Sequence, residues 1–379
     1  LEKNGYSVRI IEKEKTAGGR LNILEKDGFT FDIGPSFFSM SYEFKELFDY
    51  LEIDIPFELN ELNPLYTVFI EGNEKPYKIY KDLDKLAAEF KHIEPNFKKE
   101  VKKYLLGAKN VFHDTEYKII KRNFDSLWQY MISMSKVPKK HLPKMFRTFW
   151  GELERYFESE DVKIIFSLVA FFLGATPFNT PAVYGLLNYT ELEHDGYWNV
   201  KGGMYNIVRG ILGLMKERDV EITYSTEIKN VDYKNNEING FIDQNGKKWE
   251  ADVYVVNADA AAFRGKMLGR KKYSEKKLDK MDWTLSPFTI YLGVKGKIPG
   301  IEHHNYFLGD NFKEYADTIF RTEVTPQKPY YYVNVASKSN PNCAPEGHEN
   351  IFILCPVPDL RVKPDWSDAQ QLADEIIED

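Results

Sequence analysis

Glu12 closes an alternating stretch, Tyr6-Ser-Val-Arg-Ile-Ile-Glu12, and six residues later comes Gly18-Gly19-Arg20. In a doubly wound dinucleotide fold, an acid at a strand's carboxyl end accepts hydrogen bonds from ribose hydroxyls, because the strand tip opens into the ligand crevice. Two residues without a Cβ let the backbone approach a pyrophosphate, and an arginine supplies fixed donors to its oxygens. Each feature alone also has an ordinary reading, as a solvated strand-end acid and a common glycine turn. The ordered set of helix end, strand, terminal acid, short linker and glycine pair is much rarer and points to an adenine dinucleotide. After it, Gly28-Phe-Thr-Phe-Asp32-Ile-Gly34-Pro35-Ser36 reads as a strand with Phe29 and Phe31 on one face and a glycine turn beside Pro35. Gly34 is expected to let the backbone come close to a ring.

These residues need elements to hold them. Residues 1–5 read as the last turn of a helix closed by Gly5. Residues 367–379 carry Leu372, Ile376 and Ile377 at helical spacing and then end. Both ends fall inside elements, so the chain is expected to be a fragment. Lys201-Gly202-Gly203-Met204 precedes an amphipathic helix with Ile207, Val208, Ile211, Leu212 and Met215 on one side. This glycine pair is either a second ligand turn or a plain helix entry. Short strands are expected at 221–224, 228–233, 238–243 and 249–257, with turns at Asn235-Asn236 and Asn245-Gly246. The apolar run Asp252-Val-Tyr-Val-Val-Asn257 suits a strand buried on both faces, stopping at Ala258-Asp259-Ala260. Between Asp82 and Gly196 the pattern is helical, with Leu83, Leu86, Ala87 and Phe90 on one face and Pro95 opening the next helix.

With Glu12, the Gly18-Gly19-Arg20 turn and Gly28 to Ser36 at this spacing, the chain resembles the flavin amine oxidase-like proteins, and within them the phytoene and related carotenoid desaturases. The Gly202-Gly203-Met204 turn matches those desaturases too, although many of them carry glycine where Tyr205 stands. Phe288 to Val294, His303 to Phe307 and Ala344-Pro-Glu-Gly-His348 extend the likeness, which runs from Gly5 to about Leu360. The resemblance implies an α/β fold: an FAD/NAD(P)-binding Rossmann-like domain of the glutathione-reductase type with an interleaved α+β substrate domain. FAD binding falls to residues 1–80 and 197–280, and substrate binding to 81–196 and 281–379, with a helical membrane-facing part. The family's first strand and its Gly-x-Gly-x-x-Gly turn are expected to precede Leu1. FAD is then expected at Glu12, Gly18, Gly19, Arg20, Gly34, Pro35 and Ser36, with Ile228 meeting the adenine and Asn257 and Ala258 close to the flavin.

The implied activity is FAD-dependent desaturation of a long-chain carotenoid precursor such as phytoene, hydride passing to flavin. Two other readings share the signature: a flavin oxidase or saturase acting on a retinoid, a porphyrinogen or an amine, and a non-catalytic prenyl-protein escort of the GDP-dissociation-inhibitor type. Desaturation also releases a proton, which a carboxylate, water or the flavin must accept. Glu191, Glu193 and Asp195 precede the second glycine turn and read as solvated loop acids, so no catalytic base is assigned.

Composition bounds the rest. A chain of 379 residues is large for one core, so two interleaved domains with a cleft are expected. Aromatic residues make up 15%, enough for a ring-rich core or an apolar tunnel. A net charge of −7 offers no global basic field, and no nucleic-acid partner is expected. Cys343 and Cys355 lack CxxC spacing and read as reduced thiols of a cytoplasmic protein. His303 and His304 make a poor metal pair, because neighbours on a strand point to opposite faces; no metal is expected. The apolar run 164–175 is shorter than the ~20 residues that cross a bilayer, and suits a core helix or a tunnel wall.

The segment 117–150 stands apart. It holds Lys118, Lys121, Arg122, Lys136, Lys139, Lys140, Lys144 and Arg147 against one acid, Asp125. Phe124, Leu127, Trp128, Tyr130, Met131, Ile132, Met145, Phe146, Phe149 and Trp150 are interleaved with them. It is either an amphipathic helix pair with a solvated basic face or a face that lies in the headgroup layer of an anionic membrane. The second is favoured, because an apolar polyene is nearly insoluble in water and is best taken straight from lipid. The expected setting is cytoplasmic and peripherally membrane-associated.

Overall fold

The computed structural model describes residues 1–235, 237–281, 283–319 and 328–379. The chain divides into two compact units, the first made of Leu1–Ile23, Asp32–Pro35 and Tyr205–Trp283, the second of Leu24–Phe31, Ser36–Met204 and Thr284–Asp379.

In the first unit a short 3-10 turn, Glu2–Asn4, ends at Gly5, whose φ of 83° gives the expected helix end. Strand Arg9–Ile11 follows and pairs in parallel with Glu221–Thr223, Ile10 standing opposite Ile222. Parallel partners need a long crossover, so the two come from far apart in the chain. The Arg9 guanidinium closes on the Glu221 carboxylate across the pair. Helix Asn206–Glu217 buries Ile207 and half-covers Val208, Ile211, Leu212 and Met215, as its periodicity requires.

Strands Ile228–Lys234, Glu237–Asp243 and Lys248–Trp249 form an antiparallel meander. Asn235 takes a φ of 52° in the first turn, while Asn236 lies outside the described residues. In the second turn Gly246 has a φ of 80°, and the Asp243 carboxylate accepts the N–H groups of Asn245 and Lys247 and the Trp249 indole. The expected strand over 249–257 does not form. Between residues 250 and 257 no backbone ladder is made, and Val253, Val255 and Val256 are exposed, Val255 at 68%. A strand apolar on both faces is stable only with neighbours on both sides, and none bonds to it here.

The second unit is built on a six-stranded sheet in the order Ser286–Lys295, His348–Val357, Tyr331–Asn334, His304–Leu308, Tyr66–Ile70, Tyr77–Ile79. All its pairs are antiparallel except His304–Leu308 with Tyr66–Ile70. Helices Leu83–Phe90, Phe97–Thr115 and Glu160–Ser167 cover it, packing Leu86, Phe90, Phe97, Tyr104 and Ile165 with Val68 and Ile79 of the sheet. The Asp82 carboxylate caps the first of these helices by accepting the Asp84 and Lys85 N–H groups at 2.8 and 3.1 Å.

The apolar run 164–175 is not one helix. Glu160–Ser167 and Val169–Phe172 flank Leu168, and Ile164, Phe166, Val169 and Ala170 join the core. Phe149 and Trp150, expected on the basic surface, also pack in that core, because the Thr148 cap turns helix Phe149–Leu153 inward. Among the described residues no helix is long and apolar enough to cross a membrane. Cys343 and Cys355 are buried and form no disulfide among the described residues.

Phe29 and Phe31 lie on one face of their strand, as alternation requires, with ring centroids 6.2 Å apart, and Phe31 meets Tyr291 edge-on at 5.6 Å. Gly293 makes room for this: a Cβ there would stand 2.6 Å from the Phe29 ring. Gly293→Ala is therefore expected to destabilise the protein by about 1–3 kcal/mol through overpacking. Adding Phe29→Leu is expected to restore most of the loss in a double-mutant cycle of denaturant midpoints.

Candidate functional site

The first unit gathers the glycine-rich turn around one backbone approach. Glu12 follows strand Arg9–Ile11, and its N–H is held by the Thr223 carbonyl at 2.9 Å. Its Oε1 accepts the Glu14 N–H at 2.9 Å, which leaves Oε2 without a partner among the described residues. Gly18 has a φ of 118°, and a Cβ there would lie 2.2 Å from the Leu21 carbonyl oxygen, so the loop closes only with glycine. Gly19 has a φ of 57° and nothing within 4 Å of where its Cβ would be, which leaves its backbone open to a ligand. Arg20 is exposed and makes no ion pair or side-chain hydrogen bond among the described residues.

Gly34 has a φ of 142°, and its missing Cβ would overlap the Arg20 carbonyl oxygen at 2.0 Å. This approach of backbone to backbone requires glycine at the position. Pro35 is exposed beside it. Ser36 lies in the second unit, where its hydroxyl donates to the Tyr332 oxygen at 3.0 Å. Ile228 is half-buried at a strand start opposite Asp243, and Asn257 and Ala258 are exposed. Asp259 caps the turn Ala260–Ala262 by accepting the Ala262 N–H at 2.6 Å.

Tyr205 and Asp32 are the residues that spacing did not single out. The Tyr205 hydroxyl donates to the Ala17 carbonyl at 2.9 Å, and its ring lies 3.1 Å from where a Gly18 Cβ would stand. Its N–H donates to Asp32 Oδ1 at 3.0 Å, which sets a carboxylate at the start of helix Asn206–Glu217, where the helix dipole favours negative charge. The only sign in the sequence was that a tyrosine stood beside a glycine pair. The open Gly19 backbone, the unpaired Arg20 guanidinium and the free Glu12 oxygen suit a dinucleotide, diphosphate at the first two and ribose diol at the third. Gly202 and Gly203 form their turn in the second unit, with φ of 80° and 100°, and the Gly202 N–H is taken by Asn340 Oδ1 at 2.8 Å.

The second unit corrects the reading of the loop acids. Glu193 is exposed and pairs with Lys109 at 2.8 Å, but Glu191 and Asp195 are only 2% and 6% exposed. Asp195 accepts the Ser41 N–H at 2.8 Å, the Ser41 hydroxyl at 2.5 Å and the Trp198 indole at 3.2 Å. Helix Leu186–Tyr189 runs on into a π turn, Thr190–His194, which rotates residue 191 inward. Neither Glu191 oxygen closes a hydrogen bond among the described residues. Burial pushes its carboxyl up to about 7, and the Tyr66 hydroxyl and Asn188 amide offset only part of that cost.

Tyr66, Tyr197 and Tyr306 surround this acid, all buried and with hydroxyls held well above the ordinary range, chiefly by burial. The Tyr66 ring lies 5.4 Å from Tyr306 and 6.1 Å from Tyr197, and Tyr306 lies 5.4 Å from Tyr332. Tyr332 meets His304 Nδ1 at 2.6 Å, and the Asn334 amide approaches the same nitrogen at 3.4 Å. Two donors assign Nδ1 as the acceptor and put the His304 proton on Nε2, which finds no partner. Burial first, then His303, holds His304 neutral, and burial pushes His303 down to about 4.

The two histidines do not point to opposite faces. The strand begins at His304, so alternation does not govern His303, and the rings meet edge-on at 4.4 Å. Among the described residues no three His, Cys, Asp or Glu side chains gather as a metal site.

Because its folded-state pKa is raised from 4.5 to about 7, Glu191 contributes stability that is fully present at low pH and lost as pH rises through about 7. Glu191→Gln is therefore expected to leave stability nearly unchanged near pH 4 and to raise it by about 3 kcal/mol above pH 8. Denaturant midpoints of the two proteins across this range check it.

A family model described as flavin containing amine oxidoreductase matches residues 1–344. The zeta-carotene-forming phytoene desaturase of Myxococcus xanthus is 29% identical over 97% of this chain and 70% of its own length. A phytoene desaturase of Phycomyces blakesleeanus is 28% identical over 96% of this chain, which spans only 63% of that protein. The crystal structure of an oxidoreductase from Methanosarcina mazei superposes with a TM-score of 0.58 at 15% identity, covering 100% of this chain and 78% of that one.

Proposed function

Because the chain belongs to the flavin-containing amine oxidoreductase family and has that family's mixed α/β fold, we propose that it binds FAD and desaturates a long apolar polyene of the carotenoid-precursor class, such as phytoene. The observation that carries this is the open backbone at Gly19 flanked by the unpaired Arg20 and the free Glu12 oxygen. Relatives named as phytoene desaturases, matched over nearly all of this chain, support the substrate class.

In this reading Glu12 holds the ribose diol, while Gly19 and Arg20 hold the diphosphate. Gly18, Gly34 and Tyr205 keep the loop in the shape that presents them. Ile228, Asn257 and Ala258 line the remainder of the cofactor's path, and Pro35 and Ser36 lie where the chain passes from the first compact unit to the second. Residues 1–80 and 197–280 form the FAD-binding part, and 81–196 and 281–379 the substrate part. Bound FAD supplies a hydride acceptor, and the chain's own task is to place the substrate and exclude water.

The same reading includes docking on an anionic, cytoplasm-facing membrane surface. On helix Leu127–Ser135 the apolar side chains Leu127, Trp128, Met131 and Ile132 point outward, Trp128 at 77% exposure, and on helix Leu142–Phe146 Phe146 is 87% exposed. A helix with a merely solvated basic face would turn these side chains inward. Several of the cations are already engaged: Lys121 by Glu43, Glu46 and Glu116, Lys140 by Asp114, Lys144 and Arg147 by Glu152. Lys118, Arg122, Lys136 and Lys139 form no ion pair among the described residues and are left for lipid headgroups.

The natural full-length protein is expected to bind FAD and to consume phytoene when expressed in a phytoene-producing cell. Turnover of a retinoid, a porphyrinogen or an amine instead would favour the oxidase, and a colourless protein that takes up no flavin would favour the escort. Arg20→Ala is expected to raise the FAD dissociation constant by ~10- to 100-fold, the loss of one charge-assisted contact. Trp128→Ser combined with Phe146→Ser is expected to cut co-sedimentation with anionic vesicles by at least ~10-fold while FAD binding stays unchanged.

A further inference from the structure

Among the described residues Glu191 is the fully buried acid of the second unit that meets no cation and no backbone N–H; its polar neighbours are the neutral Tyr66 hydroxyl and Asn188 amide. Glu94, buried on the same helical layer, accepts the Glu158 and Ser159 N–H groups at 2.8 Å each, and Glu152 is bridged by Lys144 and Arg147. Those two acids hold structure together. An interior carboxyl with neither a cation nor a backbone donor beside it does not, because its charged form costs several kcal/mol and an apolar side chain of similar size would fill the space without that cost.

The groups facing it are hydroxyls and amides: Tyr66 and Tyr306 from neighbouring sheet strands, Tyr197 from strand Tyr197–Val200, Tyr104 from helix Phe97–Thr115 and Asn188 beside it. Tyr104 donates to Asn188 Oδ1 at 2.7 Å, so its hydrogen is engaged. The Tyr66 hydroxyl is directed at Glu191, and no hydrogen bond is closed by the Tyr197 and Tyr306 hydroxyls among the described residues. Beyond them, the Tyr332 and His304 pair ends in the unpartnered Nε2–H.

We propose that Glu191 is the proton-exchanging group of this unit, taking up, through the hydroxyls of Tyr66, Tyr197 and Tyr306, the proton that leaves the substrate when a double bond forms. This rests on the desaturase reading. In that reaction two C–H bonds of a CH2–CH2 unit break. One hydrogen leaves with its electron pair as hydride to oxidised flavin, and the resulting positive charge is delocalised along the polyene. The electrons of the neighbouring C–H bond become the π bond, and that hydrogen leaves as a proton. A tyrosine oxygen receives it while giving its own hydrogen to the Glu191 carboxylate, so no tyrosinate forms. A carboxyl with a midpoint near the working pH is suited to such a transfer.

The test uses the natural full-length protein loaded with FAD, alongside Glu191→Gln, which is isosteric and uncharged at every pH. Wild-type flavin reduction by phytoene is expected to rise with pH through about 7 and level off, since the acceptor must be ionised. Glu191→Gln is expected to lose that limb and to slow by ~100- to 10,000-fold with FAD affinity unchanged. Infrared titration is expected to show a protonated-carboxyl band that fades through about pH 7 in wild type and is absent in Glu191→Gln. In Tyr66→Phe the midpoint should move upward, because the Tyr66 hydroxyl lowers it. A Glu191→Gln protein that keeps the rate and the limb, or a wild type with no such band, overturns the proposal. A wild type that binds flavin but leaves phytoene unchanged overturns the desaturase reading, and the infrared titration then decides Glu191 alone: the fading band supports it as an exchanging acid, and its absence removes it.

Discussion

The first unit depends on how closely two stretches of main chain pass at Gly34. The Arg20 carbonyl stands where any other residue would carry a Cβ, and the φ of 142° is one that L side chains rarely adopt. That contact fixes the turn that presents Gly19 and Arg20, Gly18 completes it, and Tyr205 fastens it to the start of the following helix through Ala17. Asp32, two residues before Gly34, places a carboxylate at that helix start, where the helix dipole favours negative charge.

The second unit is governed by exclusion of water from polar groups. Its sheet carries Tyr66, Tyr306 and Tyr332 into a ring-rich core together with His304 and Glu191. In that setting neutral forms win: the tyrosines stay protonated, both histidines stay uncharged, and the acid titrates close to neutrality instead of near its ordinary value.

Much of the frame was legible in the residues. Alternation placed Phe29 and Phe31 on one face, apolar periodicity found helix Asn206–Glu217, and Asn245-Gly246 marked the hairpin turn. What could not be read were features set by tertiary surroundings. A five-residue π turn decided that Glu191 faces inward, and nothing in Thr190 to His194 signals π rather than α geometry. Phe149 and Trp150 read as part of a basic surface because their neighbours are lysines, although the Thr148 cap turns their helix into the core. The charge of segment 117–150 was overstated by sequence, since the acids that quench it, Glu43, Glu46, Asp114, Glu116 and Glu152, all lie outside it.

The stretch around Val253 to Val256 has a solubility consequence. It is rich in β-branched residues and uncharged, and its backbone joins no strand ladder beside exposed valines. Such a segment is a template for pairing with the same segment of another molecule. Pairing between copies would therefore start at this stretch whatever the overall negative charge, and a β-strand in register over the valines would remove the template.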